Sequence, residues 1–187
     1  MEKEAFTLVE GVDADITGVV SAYEETDDGF ELVLSGEKLL PFAKDIVAKL
    51  LEPVFFFLEL PKNSDENNDE YDVYYLDNCT LPVAQAILER YGELLISDGL
   101  SRFGFGSHSN EYEVYFKDFQ QVSLYFPEKE AARSVLEKHG IPECEKLKTM
   151  WDNFTESSPG LGIKVELNGE TAFDIADNLK DEGMYKA

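Results

Sequence analysis

The sequence predicts an α+β fold with a largely antiparallel sheet and about four to five helices, and three observations carry that expectation. Short β-like runs are separated by tight-turn residues, segments of helical spacing lie between them, and no regular βαβ alternation is present. At 187 residues, 43% hydrophobic and 12% aromatic, the chain has enough apolar matter for one core. It reads as a single domain over 1–187: an acidic β-meander at 1–37, central strand–strand–helix units at 38–140, and a C-terminal helix and strand at 141–187.

In the meander, runs 6–12, 16–23 and 30–34 are parted by Asp13-Ala14-Asp15 and by Thr26-Asp27-Asp28-Gly29, whose Asp-Gly pair favours a hairpin. Leu39, Leu40, Phe42, Ile46, Val47, Leu50 and Leu51 then fall at helical spacing, with Pro41 in the first turn and an end before Pro53. The apolar run 54–58 has the length of a central strand covered on both faces. Residues 62–70 carry no apolar side chain and read as an exposed loop before a strand at 71–76. Thr80 caps the next helix, Val83, Ala86, Ile87, Tyr91, Leu94 and Leu95 form its stripe, and Asp98-Gly99 closes it.

A second round has the same grammar: strands at 102–108, 111–117 and 121–126, then a helix from Pro127 to His139-Gly140. Glu70-Tyr71-Asp72-Val73-Tyr74 matches Glu111-Tyr112-Glu113-Val114-Tyr115, which makes the two rounds a candidate degenerate strand–strand–helix repeat. Beyond Pro142 the spacing of Leu147, Met150, Trp151 and Phe154 predicts a helix over 142–154. A strand at 163–167 follows, ending at Asn168-Gly169, then a short helix or strand at 172–179 and a frayed tail.

Sixteen Lys+Arg stand against 39 Asp+Glu, a formal net charge of −23. Arg90, Arg102 and Arg133 are its only arginines and lie far apart, so neither nucleic acid nor an anionic membrane is an expected ligand. No apolar run reaches the length of a membrane span, and the Met-Glu-Lys-Glu start lacks the features of a signal peptide, which predicts a cytoplasmic protein. Cys79 and Cys144 are too few for a disulfide framework.

Motifs for chemistry are scarce, and no catalytic residue, cofactor or metal is expected. His139 stands at a helix end, where it suits the dipole, and Ser107-His108 are strand neighbours facing opposite ways. Asp65-x-Asn67-x-Asp69 begins like a calcium loop, but Glu70 and Leu76 occupy the places of its glycine and bidentate glutamate. Phe103-Gly104-Phe105-Gly106 lacks the rest of a dinucleotide fingerprint; its glycines read as room for a backbone or a large aromatic to pack closely. With 39 acids, a hydrolase using a carboxylate pair stays as an alternative.

Alternation supplies the functional hint. It buries Tyr71, Val73 and Tyr75 and exposes Asp72 and Tyr74; in the later strand it buries Tyr112, Val114 and Phe116 and exposes Glu111, Glu113 and Tyr115. With the loop acids Asp65, Glu66, Asp69 and Glu70 this makes a surface of carboxylates and tyrosines suited to a basic protein partner. In overall character, small, acidic, aromatic-rich and without a catalytic motif, the chain is similar to the immunity proteins of bacterial polymorphic toxin systems, a likeness of composition. That likeness implies an antidote to a basic toxin such as a nuclease; the alternative is a DNA mimic that blocks DNA-binding or restriction proteins. Clustered acids with interleaved tyrosines favour the antidote.

Overall fold

The computed structural model describes residues 5–63 and 70–187. In chain order its elements are β1 (Val12–Asp13), β2 (Ala22–Glu25), β3 (Gly29–Val33), α1 (Gly36–Val47), β4 (Val54–Pro61), β5 (Tyr71–Cys79), α2 (Leu81–Ser97), β6 (Arg102–Ser107), β7 (Glu113–Phe116), β8 (Gln121–Tyr125), α3 (Glu130–Lys138), β9 (Leu161–Gly162), β10 (Glu166–Leu167), β11 (Glu170–Thr171), α4 (Ala172–Asn178) and β12 (Tyr185–Lys186). Eight strands form one sheet in the order β12-β5-β4-β6-β7-β8-β3-β2, every pair antiparallel, as the α+β reading expects.

All four α-helices pack on one face of this sheet. Phe56 and Leu58 of β4, Phe103 and Phe105 of β6, Val114 and Phe116 of β7, Val122 and Leu124 of β8 and Phe30 and Leu32 of β3 point the same way. They meet Leu39, Phe42 and Ile46 of α1, Ile87 and Leu88 of α2, Val135 of α3 and Ile175 of α4 in one core. Local signals place the helices: Thr80 accepts from the Val83 N–H at 3.4 Å at the start of α2, and Thr171 with Asp174 forms a capping box at α4. The 26–29 turn closes with Thr26 N–H donating to Gly29 O at 2.8 Å.

Several elements depart from the sequence expectation. Segment 6–12 does not enter the sheet; the buried Gln120 side chain serves it instead, accepting from Val9 N–H and donating to the Thr7 and Leu34 carbonyls. Helix α1 begins at Gly36, so Pro41 lies inside it and not in its first turn. Segment 142–154 is not a helix apart from a short 3₁₀ turn at Met150–Asn153, because its start runs along the outer edge of β2: Tyr23 N–H donates to Pro142 O and Cys144 N–H to Tyr23 O. The tail is not frayed, since Tyr185–Lys186 pairs with Tyr74 and Tyr75.

On the second face a smaller cluster of Val12, Val19, Val33, Phe119 and Met150 covers only the β3–β2 corner. Among the described residues, the rest of that face carries no helix. Strand β4 is central, as expected, but its second face is covered by its own aromatic side chains and those of its neighbours.

Candidate functional site

Cross-strand register builds the site. On the open face Tyr185 of β12 stands beside Tyr75 of β5, Tyr75 beside Phe57 of β4, Phe57 beside Gly104 of β6, and Gly104 beside Tyr115 of β7. Because Gly104 has no side chain, the Phe57 ring lies over it and reaches Tyr115, the ring centroids 5.4 Å apart. Phe55 lies likewise over Gly106 and touches Tyr75 and His108, at 6.2 Å and 4.9 Å between centroids. The glycines thus make the close aromatic packing that their spacing predicts. The result is an aromatic row across five strands, from Tyr185, 48% exposed, to Tyr115.

Charged side chains flank the row. Glu59 forms an ion pair with Arg102 at 2.7 Å, and the Arg102 guanidinium lies over the Tyr71 ring at 3.7 Å. Burial and the neighbouring Glu59 push the Tyr115 hydroxyl well above its ordinary range. Asp77 accepts from the Tyr185 hydroxyl at 2.6 Å and has His108 at 3.5 Å. Glu113 shares a groove of about 300 Å³ with Phe55, Phe57, Glu59, Val73, Tyr75 and Tyr115. Burial and then the Glu59 charge hold its carboxyl above the usual carboxylate range.

Asp118 closes this polar end, 3.9 Å from Arg102. Burial outweighs the arginine and pushes its carboxyl up to about 6, with Glu59 adding to the rise. In the unfolded chain the group titrates at ~3.9. Below that value both states are protonated; between the two values only the folded state holds the proton, so this group's effect on stability worsens as pH rises to about 6, and the full cost stays above it. Asp118→Asn is expected to raise stability at pH 7.5 by about 1–3 kcal/mol and to change it little at pH 3.5, read by urea unfolding. An equal gain at both pH values would show another cause.

No protein-family model, curated protein or solved structure matches this chain.

The nine residues singled out from the sequence are distributed unevenly. Asp65, Glu66 and Asp69 lie outside the described residues. Glu70 is exposed at the loop base, 3.6 Å from Lys62. Glu111, Glu113 and Tyr115 come together beside Phe55 and Tyr125 on the open side. For Asp72 and Tyr74 the expected face is reversed: Tyr74 packs against the helix-side core, Asp72 points the same way and pairs with Lys186 at 3.0 Å, and Tyr71, Val73 and Tyr75 take the open face. Strand β5 is aromatic on both sides, so alternation alone could not orient it; its register with β4 does. The matching pentapeptides consequently sit out of phase, Tyr74 facing the helices and Tyr115 the open side.

Other candidate chemistry is committed elsewhere. Ser107 donates to the Leu51 carbonyl and accepts from Ser109 and Asn110 N–H, so it makes no pair with His108. Nε2 of His139 lies 2.7 Å from Asp45 at the end of α3. Burial raises both thiols, and Asp77 beside Cys79 and Glu24 beside Cys144 raise them further. Among the described residues no three His, Cys, Asp or Glu side chains converge as a metal would need, and no helix is long and apolar enough to cross a membrane.

Proposed function

We propose that this chain is a non-enzymatic acidic binding protein of the immunity type, which neutralises a basic protein such as a toxin nuclease in the cytoplasm. The partner docks on the open face of the sheet. The observation that carries this reading is the aromatic row Tyr185, Tyr75, Phe57 and Tyr115, covered by no helix of the described residues and bordered by Asp77, Glu59, Glu113 and Asp118. Five strands at ~4.8 Å spacing give a platform about 20 Å across, on the scale of the ~800 Å² that each partner of a stable complex buries. Aromatic anchors supply affinity, and a net charge of −23 steers a cationic partner toward them. A DNA mimic works through spaced carboxylates and gains nothing from such anchors.

The test is capture at low salt of proteins from the source cell and of the products of neighbouring genes. A basic protein that loses its own activity at one equivalent of this chain supports the reading. Tyr75→Ser should then weaken the complex about 30-fold or more, as loss of a central anchor does. Converting Asp65, Glu66, Asp69 and Glu70 to Asn or Gln should slow association mainly at low salt, with little change in fold stability. A partner that binds the Tyr75→Ser variant as tightly as the native chain overturns the docking face; capture of no basic protein overturns the function.

A second reading, a hydrolase using a carboxylate pair, draws on Glu59 and Glu113 lining one groove with Glu113 held above the carboxylate range. The Arg102 ion pair already occupying Glu59 argues for binding.

A further inference from the structure

We propose that the groove between Phe55, Phe57, Tyr75, Tyr115 and Glu113 is a cage for one arginine side chain of the docked protein. This rests on the reading of the open face as a docking surface. Three features of the molecule support it.

The walls are aromatic and the floor is closed. Phe57 is 6% exposed and lies over Gly104, Phe55 lies over Gly106, and Tyr75 and Tyr115 stand on the flanking strands. The groove of about 300 Å³ has room for a guanidinium and part of its stem.

Its anion lacks a cation. Among the described residues no lysine, arginine or histidine forms an ion pair with Glu113, and Glu113 is only partly exposed. A partly buried carboxylate without a counter-charge is costly, and a bound cation relieves that cost.

The same face already holds one arginine in this way. Arg102 combines an ion pair to Glu59 at 2.7 Å with a ring contact to Tyr71 at 3.7 Å. Glu113 with Tyr115, Tyr75 and the two phenylalanines offers the same combination at the Phe55 end of the groove that Glu59 also lines. A planar guanidinium suits it better than an ammonium because it stacks on rings and bonds a carboxylate through two N–H groups at once.

Occupation should depend on pH. The titratable groups around Glu113 are Glu59 on β4, Tyr75 on β5, Glu111 and Tyr112 just before its own strand, Tyr115 on that strand and Tyr125 on β8. Of these, Glu59 raises the Glu113 carboxyl after burial does, so the anion forms at higher pH than for a free glutamate. Arginine binding should strengthen as pH rises through that titration.

The experiment titrates the intact chain with N-acetyl-arginine methylamide and, in parallel, with the uncharged norleucine analogue, following the ring signals of Tyr75, Tyr115 and Phe57 by NMR. The expected result is a saturable shift with arginine alone, weakened about tenfold or more by Glu113→Gln and left nearly intact by Glu137→Gln, an equal charge change at an exposed site on α3, which packs on the other face of the sheet. Equal responses to both probes, or equal weakening by both variants, would overturn the cage and leave only diffuse attraction to an acidic surface. If a basic partner is captured and binds Glu113→Gln unchanged while Tyr75→Ser abolishes binding, the cage falls and the docking reading stands. Saturable arginine binding with no basic partner captured keeps the cage and overturns the function.

Discussion

Gly104→Ala is expected to destabilise the fold by about 3 kcal/mol or more, near the upper end for overpacking of a core. A methyl group there would run into the Val114 carbonyl oxygen and the Phe57 ring together. The oxygen belongs to the backbone of β7 and cannot turn aside; the ring is pinned between Tyr75 and Tyr115. Gly106→Ala provides the contrast, because there the three atoms nearest the added methyl all belong to the Phe55 ring, a partly exposed side chain and not backbone. That variant should lose about 1 kcal/mol in stability while weakening whatever binds the open face. Urea unfolding of both proteins checks the difference. Similar losses in the two would mean that backbone contact is not what sets the cost at 104.

Asp98→Ala is the second large effect, about 3–5 kcal/mol, because a buried carboxylate there serves three backbone donors. Its Oδ2 accepts from Leu100 N–H at 3.1 Å and Ser101 N–H at 2.7 Å, and its Oδ1 accepts from Val165 N–H at 3.0 Å. Asp98→Asn should rescue little: one side of an amide is itself a donor and would face an N–H it cannot accept. The site is also a junction. Gly11 N–H donates to Ser97 O, Gly99 N–H to Ile163 O and Ile163 N–H to Gly11 O, so the N-terminal segment, the end of α2 and the C-terminal segment meet there. Thermal unfolding reads the loss; full rescue by asparagine would show that acceptor capacity on both oxygens is not needed.

Signals within a few residues were legible in the sequence. Asp28-Gly29, the Thr80 cap with Pro82 and the Asn168-Gly169 turn each specify their element locally, and the structure forms each. The stripe of α2 holds at Ile87, Tyr91, Leu94 and Leu95, but Val83 and Ala86 are exposed and Ala84 and Leu88 are buried in their stead. What failed depended on partners far along the chain. The spacing of Leu147, Met150, Trp151 and Phe154 is helical, yet the backbone at Pro142 and Cys144 bonds Tyr23, more than a hundred residues away. Strand β5 carries tyrosines on both sides, and only pairing with β4 decides which side meets the helices.

The candidate site was half legible for the same reason. Glu113 and Tyr115 emerge from simple alternation in a strand with one apolar side. At Phe55 and Phe57 the apolar run predicts core, and nothing local separates an aromatic that faces a helix from one that faces a groove. The complementary spacing of Phe-x-Phe at 55–57 and Gly-x-Gly at 104–106 was the available signal, and it identifies the site only once the two strands are known to be neighbours.

The strand order also sets a timetable for synthesis. Strands β3 and β4 follow one another in sequence with only α1 between them, yet in the sheet β8, β7 and β6 separate them. The inner edge of β3 therefore waits for β8, whose last residue is Tyr125, long after Val33 has been made. At ordinary elongation rates of ~5–20 residues per second that interval is about 5–20 s. During it the β2–β3 hairpin carries an unpaired edge that includes Phe30 and Leu32, and its glutamates at 24, 25 and 31 supply the charge that keeps such an edge from pairing with other chains. The acidity of the first segment thus acts on the nascent chain, before the sheet is complete.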